Sequence, residues 1–269
     1  MQDELTPNIR ATATMILWEF GNELATDNQK VPKHIISVQF LARSIRQLAA
    51  IQTLFDKNFA PDTYCLYRSL LERYLLYTHL CESNEFAVFD DWCFKQAFES
   101  ENRIRSSRDL KQNPALQGRT VSSEHKDRYA RICTDDRVAR WGRPDMERLA
   151  KKLKLKFFYD AGYDHASSYV HPVSMDGYND YLILMERESE TEDEGARGVL
   201  ENAQLTTTLH LQHFLNQPEY NWRRELYDLI DAFMANSGGE SRDYSGLLAG
   251  VAILHKNGDG LLKRAKPPV

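Results

Sequence analysis

The sequence lacks the patterns that mark several large functional classes. It has only four cysteines in 269 residues, and no two of them form the C-x-x-C pair of a zinc site or a dithiol redox centre. It also has no glycine-rich phosphate loop, no G-x-S-x-G nucleophile turn and no H-E-x-x-H zinc motif. We therefore predict no resident metal or cofactor. Its start does not resemble a signal peptide, so we expect a cytoplasmic protein with reduced thiols.

Long uncharged apolar runs are missing as well. The most apolar stretch, residues 64–81, is interrupted by Arg68, Glu72 and Arg73, whereas a membrane helix needs about 20 consecutive apolar residues. Alternating β-branched runs and hairpin dipeptides are nearly absent. These absences predict a protein that does not span a membrane and that folds without β-sheet.

Charge is unevenly distributed along the sequence. The net charge is -5, so the surface as a whole does not favour nucleic acid. Residues 101–156 nevertheless carry about twice as many Lys and Arg as Asp and Glu, whereas residues 186–194 are mainly acidic. We expect this basic middle region (residues 101–156) to offer a local surface to a polyanion such as RNA.

Apolar residues recur at three- and four-residue steps, which is the period of an amphipathic helix. The predicted helices span residues 9–24, 34–55, 61–83, 85–106, 122–133, 143–154, 157–172, 197–217, 222–236 and 244–254. This pattern predicts one all-α domain over residues 1–269. It would consist of a bundle of about four long helices within residues 9–181 and shorter helices in a C-terminal extension at residues 197–255.

The helix predicted at residues 61–83 carries charge on an otherwise apolar surface. At about 100° per residue, Arg68, Glu72 and His79 share one stripe of this helix. A helix that is apolar on most sides is buried, and charged groups on it need partners. Two interpretations are open here. Arg68 and Glu72 form a weak intrahelical ion pair at the four-residue spacing, or they face an internal polar cleft.

A second polar stripe leads to the stretch "SSYVHP" (167–172). Asp164, Ser167 and His171 fall on one face of the helix predicted at residues 157–172. Pro172 disfavours helical dihedrals at the residue before it, so His171 is the last residue or the cap of that helix. The helix dipole at this end favours a charged imidazole. His171 is therefore either a titrating functional group or a histidine that bonds the free carbonyl groups of the helix end.

The stretches "RSLLE" (68–72) and "SSYVHP" (167–172) resemble the two motifs of a bacterial all-helical family of unknown function. Members of that family have an R-S-[IL]-[FLV]-E helix and, later, an S-x-x-V-H-P helix end, and the resemblance covers about residues 35–180. The second motif also resembles the HEPN superfamily of helical bundles. His171 matches the signature histidine of that superfamily, but Asp164, His165 or Ala166 stands where its signature arginine is expected.

The HEPN-like resemblance implies a helical bundle that binds or acts on RNA or a nucleotide, as a metal-independent endoribonuclease in bacterial stress or phage defence. His171 would act as acid or base, and Arg68 would hold the phosphate. Glu72 would orient Arg68, and Ser167 would bond to His171 or to the phosphate. The resemblance also implies a homo-oligomer, such as a homodimer, or a partner protein.

Two other functions remain open from the sequence. Arg68, Glu72, Ser167 and His171 also fit a buried polar network that fixes helix register in a non-catalytic scaffold or binding protein. They fit a small-ligand sensor equally well, with the C-terminal helices as a partner or dimer surface. The missing signature arginine favours these two functions, and the basic middle region favours RNA. His171 and Arg68 within the reach of one phosphate and open to solvent would support a site, whereas their burial under apolar side chains would support the network.

Overall fold

The structure is a computed structural model that describes residues 9–10, 13–14, 17, 31–107, 121–170, 177–185, 194–215 and 217. Its helices are α1 (Pro32–Phe55), α2 (Ala60–Ser83), α3 (Phe86–Ser106), α4 (Ser123–Cys133), α5 (Asp136–Arg140), α6 (Met146–Lys152), α7 (Lys156–Phe158), α8 (His165–Ser167), α9 (Tyr178–Leu184) and α10 (Glu194–Leu215). A π-helix, Tyr159–Asp164, joins α7 to α8. The described residues contain no β-strand, which confirms the all-α prediction. No helix in this part of the chain combines the length and the apolar character that crossing a bilayer requires.

The ends of α1, α2 and α3 follow from local chemistry. Pro32 and Pro61 lie in the first turns of α1 and α2, where a missing N–H leaves no helical hydrogen bond unmade. Asn84 ends α2 in the left-handed conformation, with φ at 54°, which is a common way to stop a helix. The three helices predicted from periodicity agree with these bounds to within two residues.

The helices α1, α2 and α10 pack against one another and enclose the main core. The fully buried side chains of this core include Leu41, Leu48 and Ile51 from α1, Tyr67, Leu70, Leu71, Leu75 and Tyr77 from α2, and Phe214 from α10. Burial of each such side chain contributes about 1.5–3 kcal/mol. Because α10 shares this core, it belongs to the same packed unit as α1 and α2. It is also the first helix of the extension predicted at residues 197–255, of which residues 218–255 lie outside the described residues.

The remaining helices lie in two groups around this core. In the first, α3 packs on α1 and carries α4 and α5 on its outer side. In the second, α6, the π-helix and α8 lie along α2. Trp141, which follows α5, lies against Phe89 and Trp92 of α3, and its indole N–H donates to Glu85. The loop that begins at Trp141 is thereby held beside α3.

Sequence periodicity was wrong at two short segments. It did not predict α5, which begins after Asp135, whose carboxylate accepts a hydrogen bond from the backbone N–H of Arg137 at 2.8 Å. It also predicted no helix between residues 172 and 197, whereas α9 begins at Tyr178. Helices of five to seven residues are too short for a periodic pattern to show. Of the helices predicted at residues 9–24, 222–236 and 244–254, only Ile9, Arg10, Ala13, Thr14 and Leu17 are described, and they are helical.

Candidate functional site

Arg68 and Ser167, predicted from two separate helices, are brought together. The half-buried Arg68 lies on α2, and its Nε donates a hydrogen bond to the Ser167 hydroxyl at 3.0 Å. Its Nη2 donates to the Tyr163 hydroxyl, also at 3.0 Å, and its guanidinium carbon lies 4.7 Å from the centre of the Tyr163 ring. Ser167 donates in turn to the Tyr163 carbonyl oxygen at 2.7 Å. The arginine side chain is thus fixed at two points by neutral groups.

The π-helix Tyr159–Asp164 sets the positions of these partners. Its buried Gly162 lies directly against Tyr67 of α2, where an added β-carbon would be only 2.7 Å from ring atom Cε1. The absence of a side chain therefore allows the segment to approach α2 closely enough for Tyr163 and Ser167 to reach Arg68. Single π-turns recur at functional sites. The sequence predicted a continuous helix over residues 157–172, and the only local signal for a departure was the glycine itself.

Glu72 pairs with Arg143 and not with Arg68. Its Oε1 lies 2.9 Å from Nη1 of Arg143, whose side chain is 61% exposed while that of Glu72 is 18% exposed. Arg143 belongs to the loop between α5 and α6, and the sequence did not single it out. The expectations that Glu72 orients Arg68, or forms an intrahelical ion pair with it, are therefore corrected. The four-residue spacing placed both residues on one stripe, but each binds a different partner segment.

One cleft is lined by the side chains of Arg68, Glu72 and Arg143. Its volume is about 360 Å³, within the roughly 300–1,000 Å³ that small-molecule sites occupy. The other lining residues are Pro144, Asp145, Met146, Glu147, Tyr159 and Tyr163. The rings of Tyr159 and Tyr163 are stacked, with centroids 5.2 Å apart and planes 18° from parallel. The cleft therefore combines two guanidinium groups with aromatic and aliphatic surface. We call it the Arg68 cleft.

Each carboxylate of the Arg68 cleft already has a partner. The partners are Arg143 for Glu72 at 2.9 Å, Lys151 for Glu147 at 2.5 Å, and the backbone N–H of Arg148 for Asp145 at 2.7 Å. Arg68 differs, because its bonds go to the hydroxyls of Ser167 and Tyr163, and among the described residues no carboxylate pairs with it. A half-buried positive charge without a paired carboxylate attracts an anion. The Arg68 guanidinium is therefore the group of this cleft that is suited to bind an anionic group.

His171 lies outside the described residues, so its position relative to Arg68 stays a prediction. The described chain reaches Val170, one residue before it. Just ahead, the ring of Tyr169 stacks on that of Tyr64 with centroids 4.3 Å apart, and its carbonyl oxygen accepts a bond from the Cys65 thiol at 3.2 Å. These contacts hold the turn that precedes His171 against the first turns of α2, close to Arg68 along the same helix.

The basic middle region is largely paired with carboxylates where it is described. The pairs are Arg105 with Glu101, Arg128 with Asp90 and Asp91, Arg137 with Asp135, Arg140 with Asp136, Lys152 with Glu82, and Lys156 with Asp160. Such surface pairs are individually weak, but they reduce the positive potential that a polyanion would meet. The charge open to RNA is therefore smaller than the composition of residues 101–156 predicts.

A second polar cluster reaches into the core. His210 of α10 is fully buried, its Nδ1 lies 3.1 Å from the Ser44 hydroxyl, and burial lowers its pKa to about 3. The half-buried His213 lies one turn further, with its Nδ1 3.2 Å from the Thr78 hydroxyl, and burial lowers its pKa too. Neither histidine belongs to a metal-ligand set, since no group of three or more His, Cys, Asp or Glu in the described ranges could hold an ion. His210 is closed to solvent, and neither histidine lines the Arg68 cleft.

Comparison with known proteins gives one match. Residues 34–190 match a protein family described as a family of unknown function (DUF5677). The matched span covers more than half of the chain and contains α2 to α9 and all of α1 except its first two residues, with every described residue of the Arg68 cleft, but not α10. No curated protein and no solved structure matches. The match confirms that the chain belongs to a family of unknown function. The two sequence motifs attributed to that family and the relation to HEPN proteins stay predictions.

Proposed function

We propose a function from the geometry of the Arg68 cleft, because the chain belongs to the DUF5677 family, whose function is unknown. The proposal is that this cleft binds a nucleotide or the nucleotide unit of an RNA chain, with the phosphate at Arg68. One observation carries it. Among the described residues of the cleft, the Arg68 guanidinium is bonded to hydroxyl groups and not to a carboxylate.

The way in which Arg68 is held suits a phosphate. A guanidinium has five N–H donors in a planar fork, and two of those of Arg68 are used by Ser167 and Tyr163. The remaining donors are available to oxygen atoms of a ligand, which guanidinium groups bind in a bidentate manner. Because Arg68 is already fixed, little side-chain entropy would be lost on binding. Its half-buried position strengthens each charged contact.

The rest of the cleft suits a nucleobase. Tyr159 and Tyr163 supply aromatic surface, and Pro144 and Met146 supply aliphatic surface beside it. Stacking of a base on an aromatic side chain contributes about 1–3 kcal/mol and tolerates any base. A phosphate contact next to aromatic surface is the combination that a nucleotide requires.

Metal-independent RNA cleavage is the catalytic form of this proposal. Ser167, which is bound to Arg68, lies four residues before His171. In the reaction, the ribose 2′-oxygen would lose its proton to a base and bond to the adjacent phosphorus. The bond from phosphorus to the 5′-oxygen would break, and that oxygen would take a proton from an acid. His171 would serve as the acid or the base, and Arg68 would stabilise the charge on the phosphorus-bound oxygens.

The non-catalytic scaffold is the second candidate, and the same hydrogen bonds favour it. Arg68, Ser167 and Tyr163 tie the π-helix segment to α2 through a chain of side-chain bonds. Loss of one member of a part-buried network leaves its partners without bonds, at about 1–3 kcal/mol. In this case Arg68 would contribute to stability and not to binding.

Binding of adenosine 5′-monophosphate by the purified protein in EDTA tests the proposal. We expect calorimetric titration to show binding to the wild type and a loss of at least about tenfold in Arg68→Gln. The control is Arg140→Gln, which removes an 81% exposed arginine of α5 that is paired with Asp136. RNA degradation by the wild type and by His171→Ala then tests the catalytic form. Absence of nucleotide binding by the wild type, with a lower melting temperature for Arg68→Gln, would favour the scaffold.

A further inference from the structure

We infer that Arg143 is a second phosphate-binding residue of the Arg68 cleft and that Glu72 positions it, so that the cleft selects a terminal phosphate over an internal phosphodiester. This inference rests on the proposed function of the cleft and adds the chemical class of its ligand, a free nucleotide with a terminal phosphate. It is an alternative to the catalytic form of that proposal, in which the ligand is an internal phosphodiester of RNA. It assigns a role to an arginine that neither sequence motif contains.

One face of α2 sets the positions of both guanidinium groups, because it carries Arg68 itself and the Glu72 that pairs with Arg143. Glu72 lies one helical turn after Arg68, which corresponds to about 6 Å of helix rise. By pairing with Glu72 through Nη1 at 2.9 Å, Arg143 is drawn to the side of α2 that Arg68 occupies. Both arginines line the same cleft. A group bound between them would meet one guanidinium from α2 and one from the loop.

The loop that carries Arg143 is anchored on both sides of it. Before Arg143, Trp141 donates to Glu85 at 3.3 Å and packs against aromatic rings of α3. After it, Asp145 caps α6 by accepting a bond from the Arg148 backbone N–H at 2.7 Å. Fixed flanks and the bond to Glu72 limit where the exposed Arg143 side chain can lie. Arg143 is therefore pre-organised over the cleft, and Nη1 alone is committed to Glu72 among its donors described here.

The number of hydrogen-bond donors favours a terminal phosphate. Arg68 and Arg143 both line the cleft, and their charges together with that of Lys151 balance those of Glu72, Asp145 and Glu147, so the discrimination comes from the number of acceptor oxygens on the ligand. A terminal phosphate carries about -1.5 to -2 charges near neutral pH and three acceptor oxygens. An internal phosphodiester carries one charge and two free oxygens. The three oxygens of a terminal phosphate can accept from both guanidinium groups. The two free oxygens of a phosphodiester leave one guanidinium short of acceptors.

A pair of probes that differ only at the phosphate tests this inference. Adenosine 5′-monophosphate has a terminal phosphate, and its methyl ester has the charge of a phosphodiester on the same nucleoside. Affinities are measured by calorimetry in EDTA for the wild type, Arg143→Gln, Glu72→Gln, the double variant and the control Arg140→Gln. Melting temperatures identify any variant that has lost its fold, and Arg143→Lys serves as a variant that retains charge without the fork.

We expect the wild type to bind the monophosphate roughly tenfold more tightly than the ester. Arg143→Gln should lose that preference, because its affinity for the monophosphate should fall by more than its affinity for the ester. Glu72→Gln should lose part of the preference, and the double variant should match Arg143→Gln, because a positioning residue has no effect once the group that it positions is gone. Arg140→Gln should behave as the wild type, and Arg143→Lys should lie between the wild type and Arg143→Gln.

The two claims fail in different ways. Equal affinity of the wild type for both probes, or a full preference in Arg143→Gln, would overturn the role of Arg143. The proposed function would still stand if Arg68→Gln abolished binding of both probes. A wild type that binds neither probe would overturn both claims together.

Discussion

A single glycine determines how closely the site segment approaches α2. At Gly162 an added β-carbon would be 2.7 Å from Cε1 and 2.9 Å from the hydroxyl oxygen of Tyr67. Tyr67 is 2% exposed and belongs to the core, so it has little room to move. We therefore predict that Gly162→Ala lowers the free energy of unfolding by about 1–3 kcal/mol, as measured by urea denaturation.

Gly198 of α10 provides the matched control for this substitution. It is also helical, but nothing lies within 4 Å of a β-carbon built there. Alanine is favoured over glycine in a helix by about 0.5–1 kcal/mol. Gly198→Ala should therefore raise the free energy of unfolding. The account of the close approach at Gly162 would be contradicted if both alanine variants were more stable than the wild type.

The buried His210 predicts a pH dependence of stability. Burial lowers its pKa from 6.5 to about 3 in the folded state, whereas in the unfolded chain the imidazole titrates near 6.5. Between pH values of about 3 and 6.5, the His210 imidazole is therefore protonated in the unfolded state and neutral in the folded state. It follows that His210 lowers the free energy of unfolding by about 1.4 kcal/mol for each pH unit below about 6.5. His213 adds to this trend, because burial lowers its pKa as well.

The variant His210→Gln isolates this contribution. Its free energy of unfolding, measured by urea titration at several pH values, should fall less steeply than that of the wild type as the pH decreases from 6.5 to 5. Above pH 7 the two slopes should coincide, because the imidazole is neutral in both states. Equal slopes from pH 6.5 to 5 would show that His210 does not remain neutral in the folded protein.

At the scale of elements, periodicity located the long helices but not the π-helix beside the site. Apolar residues recur regularly in α1, α2 and α3, so their bounds follow from the sequence. The π-helix could not be predicted in this way, because the close approach of its Gly162 to Tyr67 is a contact between two helices that are distant in sequence. Prediction of this feature would require knowledge of which helix lies opposite, and that is tertiary information.

The candidate site shows the same division. Helical spacing placed Arg68 and Glu72 on one face of α2, and it placed Ser167 on the polar face of a different helix. The structure brings the two faces together, with Arg68 bonded to Ser167 at 3.0 Å. The partner of Glu72 could not be predicted, because Arg143 lies in a loop more than seventy residues further along the chain. Contacts between distant segments are set by how the elements pack, and a single sequence does not encode them in any local pattern.

At the scale of the whole molecule, the family match leaves out α10, although this helix completes the core. The match ends at residue 190, whereas α10 packs against both α1 and α2. Its buried apolar residues are Ala196, Val199, Leu200, Ala203, Leu211, Phe214 and Leu215. We predict that a chain ending at residue 190 loses cooperative thermal unfolding and near-ultraviolet circular dichroism while retaining helical content, since its exposed core surfaces have no partner.

Single substitutions give a graded form of the same test. Phe214 is fully buried, so Phe214→Ala in the full chain should cost about 3–5 kcal/mol. Leu184, which is 81% exposed at the end of α9, should tolerate alanine within about 0.5 kcal/mol. A cooperative transition in the shortened chain would mean that α1 to α9 form a complete core without α10.

The central claim is that the Arg68 cleft is a phosphate-binding site, and a crystal structure of the protein with adenosine 5′-monophosphate tests it most directly. The account predicts the phosphate within hydrogen-bond distance of the Arg68 guanidinium, with the bonds of Arg68 to Ser167 and Tyr163 retained and the base beside Tyr159. An empty cleft at saturating nucleotide, or a nucleotide bound elsewhere on the molecule, would contradict it.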